Sequence, residues 1–553
     1  MMPVPQSVNP YPAPHTPTPS SGGRLVTVDG RELALVEVAI RAEAFAGIAR
    51  VVLEQRFVNR FREPLEVTYQ VPLPADAAVA GYELRVGERR IIGEIERRAE
   101  ARERFEQAIL EGRTAALLDQ ERSSVFTQQI GNVPPEAEVV TRLTIDQPLI
   151  WIDGGWEWRF PTVVAPRYLG AEGRVADAAA IAVDVADAPL PVRARLELAI
   201  RTDEPAQPRS PSHALSVASE AGAVRVGFAS EAGARLDRDV VVRWAAAKPA
   251  PGAVLDRGGS HGLLTLVPPS VRFTPVPRDL VILLDISGSM EGPPLAQAQR
   301  LACALIDTLD ERDRLEIIAF ANAPRRWSFR PAPGSPANCT DAKRWVTALQ
   351  AGGGTEMRAG IVEALSPLRA GSERQVVLVS DGHVGFEREI VAEIRDRLAR
   401  SARVHVIGVG SAVNRSLTRP AARAGAGVEV IVAPDEDIEP ALRRIVAGTA
   451  APIVTELEVS GSALAQVARA RIPDLLAAAP ALVPVALAPN GGELVVRGRS
   501  ADGVWEQRVS VPATAPGDGN AAFAALFARE RVEELELAAA AGRELPAIER
   551  EIE

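Results

Sequence analysis

The spacing of apolar and polar positions changes twice along the chain. Between residues 25 and 275 the two kinds of position often alternate, as in VRARLELAI at 192–200, which is typical of strands with one face in water. Between residues 277 and 447 continuous apolar runs, such as LVILLD at 280–285, are each followed by a helical pattern. Such runs predict a mainly parallel sheet covered on both faces. Strand patterns resume near residue 450, and a helix begins near Asn520.

These changes predict a multidomain protein that combines an α/β domain with all-β regions. The segments are a disordered, proline-rich tail (1–24), a β-rich domain with one helix (25–169), the first part of a β-sandwich (170–276), a doubly wound Rossmann-like domain (277–447), the second part of the sandwich (450–515) and a C-terminal helical segment (516–553). Domain termini usually lie close together. We therefore expect the two flanking β segments to pack as one sandwich into which the α/β domain is inserted.

Composition narrows the classes of partner and site. The chain has 553 residues and a net charge of −10. Because a nucleic-acid-binding face needs an excess of basic residues, we expect no nucleic-acid partner. Two cysteines and five histidines are too few for a disulfide framework or a Cys/His zinc site.

Targeting and membrane segments are not expected either. Residues 1–24 have no basic residue before Arg24 and no apolar core, unlike a secretory signal. The apolar run Leu475–Pro489 is too short to span a bilayer and contains three prolines. The sequence therefore predicts a cytoplasmic protein without a membrane span, and its oligomeric state stays open.

Oxygen-bearing side chains follow several strands of the predicted parallel sheet. They are Asp285, Ser287, Ser289, Thr355 and Asp381. Each alone is ordinary turn or helix-capping chemistry. Ligands of open parallel sheets bind beyond the carboxyl ends of the strands, where the strand order reverses. An all-oxygen set at such a place suits Mg²⁺, with Mn²⁺ or Ca²⁺ as alternatives.

The motifs resemble those of two known families. DISGS at 285–289, GGGTEM at 352–357 and VSDG at 379–382 are similar to the metal-ion-dependent adhesion site (MIDAS) of von Willebrand factor type A (VWA) domains. The segment 100–139 resembles the vault protein inter-alpha-trypsin (VIT) domain. Together they resemble the VIT–VWA architecture of the inter-alpha-trypsin inhibitor heavy chains and their bacterial relatives.

This resemblance implies a metal site that a partner protein completes with an acidic side chain. In the family the serines and the threonine touch the ion, and the aspartates often act through water or hydrogen bonds. Because no signal peptide is visible, neither secretion nor attachment to matrix polysaccharide is implied. His383, next to Asp381, is either a rim residue of the site or an ordinary loop residue.

The expected function is metal-dependent protein–protein interaction without catalysis. The sequence contains no GxSxG elbow, no HExxH motif and no cysteine with an evident histidine partner. The glycines of 352–354 are not followed by the lysine that a phosphate-binding loop requires. Two alternatives stay open: a structural or assembly scaffold with a purely structural metal, and an accessory subunit of an ATPase or modification system.

Overall fold

The computed structural model describes most of the chain. The residues described are 25–27, 32–152, 154–181, 192–202, 206–246, 250–269, 277–366, 374–399, 402–433, 436–449, 452–469, 471–476, 480–500, 502–513 and 520–540. The predicted N-terminal tail (1–24) lies outside these residues, as does the end of the C-terminal segment.

The first domain is built on one large sheet in which 13 strands of the described chain pair. Its elements begin with β1 (Leu25–Thr27), β2 (Glu32–Phe45), β3 (Ile48–Val58), β4 (Leu65–Pro72), β5 (Ala78–Val86), β6 (Arg89–Ile92), α1 (Arg98–Leu110), β7 (Ala115–Arg122), β8 (Val125–Val133) and β9 (Glu138–Pro148). The helix buries Phe105 beside Gly131, and Gly112, with φ +72°, follows its C-terminal cap. The predicted β-rich domain with one helix is thus confirmed.

The same region continues into a small sheet and a second group of strands. These are β10 (Ile150–Ile152), β11 (Gly155–Phe160), the short helix α2 (Ala178–Ile181), β12 (Arg193–Arg201), β13 (Leu215–Glu220), β14 (Ala223–Phe228), β15 (Ala234–Arg235) and β16 (Val240–Ala245). The strand β12 pairs in parallel with β2, and β16 pairs with β11.

The prediction that all of 170–276 belongs to the β-sandwich into which the α/β domain is inserted is therefore wrong for 193–245. The strand β2 is much longer than its neighbour β1 and extends past it. Residues 38–44 of β2 would leave backbone groups unpaired at that edge, and β12 supplies their partners. The alternating face of β12, with Ala194, Leu196 and Leu198 buried, joins the core of the first domain.

Two further strands, β17 (Gly252–Gly258) and β18 (His261–Val267), form a hairpin before the α/β domain. The α/β domain contains β19 (Asp279–Asp285), α3 (Pro293–Ile306), β20 (Arg314–Phe320), β21 (Pro324–Arg326), β22 (Ala332–Pro333), α4 (Pro336–Thr347), α5 (Met357–Leu365), β23 (Arg374–Ser380), α6 (Glu387–Arg397), β24 (Arg403–Val409), α7 (Arg415–Ala424), β25 (Ala426–Val432) and α8 (Glu439–Thr449). Its sheet has the order β21-β20-β19-β23-β24-β25, and β20, β19, β23, β24 and β25 are parallel. The doubly wound domain is confirmed.

The chain then returns to β structure and ends, within the described residues, in a helix. The elements are β26 (Thr455–Ser460), β27 (Leu464–Val467), β28 (Ala481–Leu487), β29 (Gly492–Ser500), β30 (Gly503–Val511) and α9 (Ala522–Ala540). The strand β18 pairs with β28, so the α/β domain is indeed inserted between segments of one β-sandwich. None of the helices in the described part of the chain is long and apolar enough to cross a membrane.

A buried ion-pair network joins the three parts of the molecule. Arg415, Arg419 and Arg423 lie one turn apart on α7. Asp76 of the first domain accepts hydrogen bonds from Arg415 at 3.3 Å and from Arg419 at 3.2 Å. Glu530 of α9 accepts from Arg419 at 3.1 Å and from Arg423 at 2.8 Å. Burial alone would raise the pKa of Glu530, but its arginine neighbours hold it well below the ordinary value.

We predict that Glu530→Ala destabilises the protein by about 3–5 kcal/mol, because it leaves buried guanidinium groups without their shared carboxylate. Chemical denaturation followed by circular dichroism measures the change. The matched control is Glu506→Ala, which removes an exposed carboxylate that also pairs with two arginines. That variant should unfold like the wild type, and equal losses in both variants would contradict the prediction.

Candidate metal centre

The five oxygen-bearing residues predicted from the sequence lie at the carboxyl edge of the parallel sheet. Asp285 ends β19, and Asp381 directly follows its parallel neighbour β23. The two serines follow in the turn around a short 3-10 helix, Gly288–Met290, and Thr355 precedes α5. Asp285, Ser287, Thr355 and Asp381 are each at most 3% exposed, and Ser289 is partly exposed.

Asp285 is held by hydrogen bonds to both carboxylate oxygens. The Ser287 amide donates to Oδ1 at 2.9 Å, and the Ser380 hydroxyl donates to Oδ2 at 2.6 Å. Ser380 in turn accepts the Gly382 amide at 2.8 Å. Sequence reasoning missed Ser380, although a serine at the end of the buried run VVLVSD was a detectable signal. The fixed carboxylate can therefore orient groups around it rather than swing freely.

Backbone hydrogen bonds bring the loop of Thr355 to the serine turn. The Gly352 amide donates to the Ile286 carbonyl at 2.8 Å, and the Gly288 amide donates to the Gly353 carbonyl at 3.1 Å. The φ of Gly353 is +84°, a region that favours glycine. The glycine run before Thr355 is thus explained by loop geometry, with no phosphate-binding role needed. The Ser287 and Ser289 hydroxyl oxygens lie 3.3 Å apart on the facing turn.

Asp381 has one satisfied and one unsatisfied oxygen. Its Oδ1 accepts the His383 amide at 3.0 Å, whereas Oδ2 is buried and makes no hydrogen bond within the described residues. His383 Nδ1 lies 3.2 Å from that Oδ2, and Nε2 lies 2.8 Å from the Ala412 carbonyl. The carbonyl can only accept, so Nε2 carries the proton.

Models of two protein families match the chain. The model of the vault protein inter-alpha-trypsin domain matches residues 35–145, and the model of the von Willebrand factor type A domain matches residues 278–430. The chain combines a VIT domain with a VWA domain. The predicted resemblance is confirmed, and the oxygen cluster lies in the VWA domain.

Curated relatives are similar to most of the chain at low identity. The mouse protein mono-ADP-ribosyltransferase PARP4 is 26% identical over 71% of this chain and 20% of its own length. Human von Willebrand factor A domain-containing protein 5A is 25% identical over 79% of this chain and 59% of its own. Rat inter-alpha-trypsin inhibitor heavy chain H3 is 22% identical over 86% of this chain and 53% of its own. The chain thus spans between a fifth and three-fifths of these relatives.

Solved structures with the VWA fold are also similar to part of the chain. The von Willebrand factor type A protein from Catenulispora acidiphila is 16% identical, with a TM-score of 0.36. The match covers 54% of this chain and 88% of the chain of that protein.

Asp285 and Asp381, the two aspartates of the candidate site, repel one another. Burial, and then the nearby charge of Asp381, raise the pKa of Asp285 to about 7. Two buried carboxylates, a carboxylate oxygen without a donor and three hydroxyls fit a hard cation, because such ions prefer oxygen ligands. No group of three or more His, Cys, Asp or Glu side chains in the described residues could hold a metal. A cation here would therefore depend on the hydroxyls as well.

We predict that the stability contributed by Asp285 in the metal-free protein is lost as the pH rises from about 4 to about 7. The unfolded state releases the Asp285 proton near its ordinary pKa of about 3.9, whereas the folded state keeps it until about pH 7. The Asp285 contribution is full below pH 4 and is lost above pH 7, a change of about 2–4 kcal/mol.

Denaturation curves in chelator at pH 5 and pH 8, for the wild type and Asp285→Asn, measure this contribution as a difference. The variant should lose less stability between the two values than the wild type. Identical pH slopes would show that Asp285 is not strained by its neighbour.

Proposed function

We propose that this chain is a non-enzymatic interaction protein whose VWA domain binds Mg²⁺ through Asp285, Ser287, Ser289, Thr355 and Asp381. An acidic side chain of a protein partner completes the coordination, and Mn²⁺ or Ca²⁺ could replace Mg²⁺. The observation that carries this proposal is the buried pair Asp285 and Asp381, whose mutual repulsion a cation would relieve. When bound, the ion would supply a positive charge with an open position for an anionic oxygen.

The exposure of the surrounding loops supports access by a partner. Ser289 is partly exposed, and Glu291, Asn322, Gly352 and Gly353 beside it are exposed. The other four predicted ligands are buried beneath this opening. A partner could therefore reach the site with one extended side chain while its own backbone stays outside. A glutamate or aspartate of the partner has both the reach and the charge for this role.

The surroundings of His383 support a role without catalysis. An Asp–His pair next to two serines resembles part of a hydrolytic triad, which needs a nucleophile at the second ring nitrogen. Here that nitrogen, Nε2, faces the Ala412 carbonyl, which cannot serve as a nucleophile. His383 instead fixes the loop that carries Asp381. The VIT and VWA domains indicate a role in protein–protein interaction, and a cytoplasmic location remains part of the proposal.

We expect Mg²⁺ to raise the melting temperature of the wild type, because a ligand of the native state stabilises it by about 2.7 kcal/mol at a hundredfold excess over its Kd. Asp285→Ala and Ser287→Ala should abolish this rise while the metal-free proteins stay folded. The matched control is Asp307→Asn, at the C-terminal cap of α3, whose carboxylate is exposed and pairs with Lys343. Absence of any Mg²⁺ effect on the wild type, with calorimetry agreeing, would overturn the metal proposal.

We further expect peptides with Asp or Glu to bind the immobilised protein only in Mg²⁺. A displayed peptide library is selected in Mg²⁺ and in EDTA, and each enriched peptide is compared with its Asn or Gln counterpart. Enrichment of acidic peptides that disappears in EDTA supports a metal-dependent contact. Enrichment that survives EDTA, or that the amide counterparts share, favours the scaffold alternative with a structural metal.

A further inference from the structure

A segment outside the VWA domain runs along two of the loops that form the candidate metal centre. Residues 165–177, called the strap here, connect β11 of the first domain to α2. The Tyr168 amide donates to the His383 carbonyl at 2.9 Å, and the Gly385 amide donates to the Tyr168 carbonyl at 2.9 Å. The strap thereby pairs like a short extra strand with the loop that follows Asp381.

The tyrosine side chain reaches the second loop, the one that carries Thr355. A Cβ atom on Gly354 would lie 2.8 Å from the Tyr168 hydroxyl oxygen, so the ring and the loop are in close contact. The same hydroxyl lies 3.4 Å from Oε1 of Glu356. On the other side, the Gly354 amide donates to the Asn322 side chain at 2.7 Å. The residue before Thr355 is thus enclosed between an asparagine of its own domain and a tyrosine of the strap.

Arg174 of the strap fixes the residue on the other side of Thr355. Its guanidinium donates to both oxygens of Glu356, at 3.1 and 3.2 Å, and to both oxygens of Glu389 on α6, at 3.0 and 3.2 Å. It also stacks 3.6 Å above the ring centre of Phe386. A planar guanidinium with two carboxylate partners has little freedom to move. Arg174 therefore links the start of α5 to α6 at the edge of the site.

The strap is itself anchored to the VIT domain and to the VWA domain. Arg122, at the end of β7, donates to Asp177 of the strap at 2.6 and 2.9 Å and to Glu387 of α6 at 3.3 Å. Arg167 of the strap donates to Asn414 at 3.1 Å. The position of the strap thus depends on both domains.

We propose that the strap is a working part of the metal centre, in which Tyr168 and Arg174 are positioning residues that hold the Thr355 loop in its ligating geometry. The inference rests on the proposed function, because it assigns residues to the same Mg²⁺ site. It implies that the segment matched as a VWA domain does not bind the ion at full affinity without the chain that precedes it. Groups that orient metal ligands typically contribute about 10- to 100-fold to metal affinity.

The test is calorimetric titration of Mg²⁺ into the full chain and its variants. Arg174→Ala should weaken Mg²⁺ binding about tenfold or more. The matched control is Arg358→Ala, because Arg358 pairs with Glu389 and Glu393 but, within the described residues, forms no hydrogen bond or ion pair with Glu356. That control should keep the wild-type affinity. Arg174→Lys keeps the charge but cannot bridge two carboxylates in the same plane. Its Mg²⁺ affinity should therefore lie between those of Arg174→Ala and the control.

Measurements beside the Kd separate positioning from simple stability. If Arg174 only stabilises the fold, Arg174→Ala lowers the melting temperature in chelator and leaves the Mg²⁺ affinity unchanged, which overturns the inference. If it positions the loop, hydrogen exchange at the Glu356 amide, which donates to the Ala321 carbonyl, becomes faster in the variant. In that case the double variant Arg174→Ala/Glu356→Gln should lose no more Mg²⁺ affinity than either single variant, because both substitutions remove the same interaction.

The outcomes for the two proposals can be told apart. A wild type that does not bind Mg²⁺ overturns both the proposed function and the inference. A wild type that binds Mg²⁺, with Arg174→Ala and Tyr168→Ala binding equally well, overturns the inference alone. Weaker binding in both strap variants, with Arg358→Ala unchanged, supports it.

Discussion

The arrangement of the domains depends on three arginines of α7 that are largely shielded from water. A buried guanidinium needs a carboxylate partner, since an unpaired charge in the interior costs several kcal/mol. The partners come from different parts of the chain: Asp76 from the first domain, Glu429 from the VWA sheet and Glu530 from the final helix. These ion pairs therefore fix the positions of the three parts relative to one another.

The helix α7 is connected to the candidate metal centre by Asn414, the residue that precedes it. The Asn414 side chain donates to the carbonyls of Gly382 and Val384, and its amide donates to the carbonyl of Asp381. A helix clamped by its arginines thus holds, at its first turn, the loop that carries one of the two aspartates. The strap separately contacts the loop of Thr355, through Tyr168 and Arg174. Two loops of the site are thus also contacted from outside the sheet on which they lie.

Local patterns were enough to predict the VWA domain but not all of the β structure. The parallel strands β19, β20, β23 and β24 are apolar runs buried on both faces, so each can be recognised without reference to its neighbours. An alternating strand such as β12 is different, because its pattern shows which face is buried and not which edge it pairs with. The strand β12 pairs with β2 because the edge of β2 is free there, and this free edge is visible only in the three-dimensional structure. The small strands β21 and β22 carry too few residues for a pattern.

The same contrast holds for the site. Its five predicted residues lie in the turns after β19 and β23 and in the loop before α5, where sequence motifs mark them. Tyr168 and Arg174 lie in a segment with no motif, and their contacts join residues more than a hundred positions apart along the chain. The sequence therefore points to the candidate ligands but not to the distant residues that contact their loops.

The insertion of the VWA domain into the β-sandwich also constrains the order of folding. The strand β18 leaves its edge open until β28 arrives, and the whole VWA domain lies between them in the chain. Closing so long a loop is entropically costly while it is unfolded. A folded VWA domain brings its two ends together and shortens the distance to be closed. We therefore expect the inserted domain to fold first and the sandwich to close afterwards, with the edge of β18 exposed to misassociation in the interval.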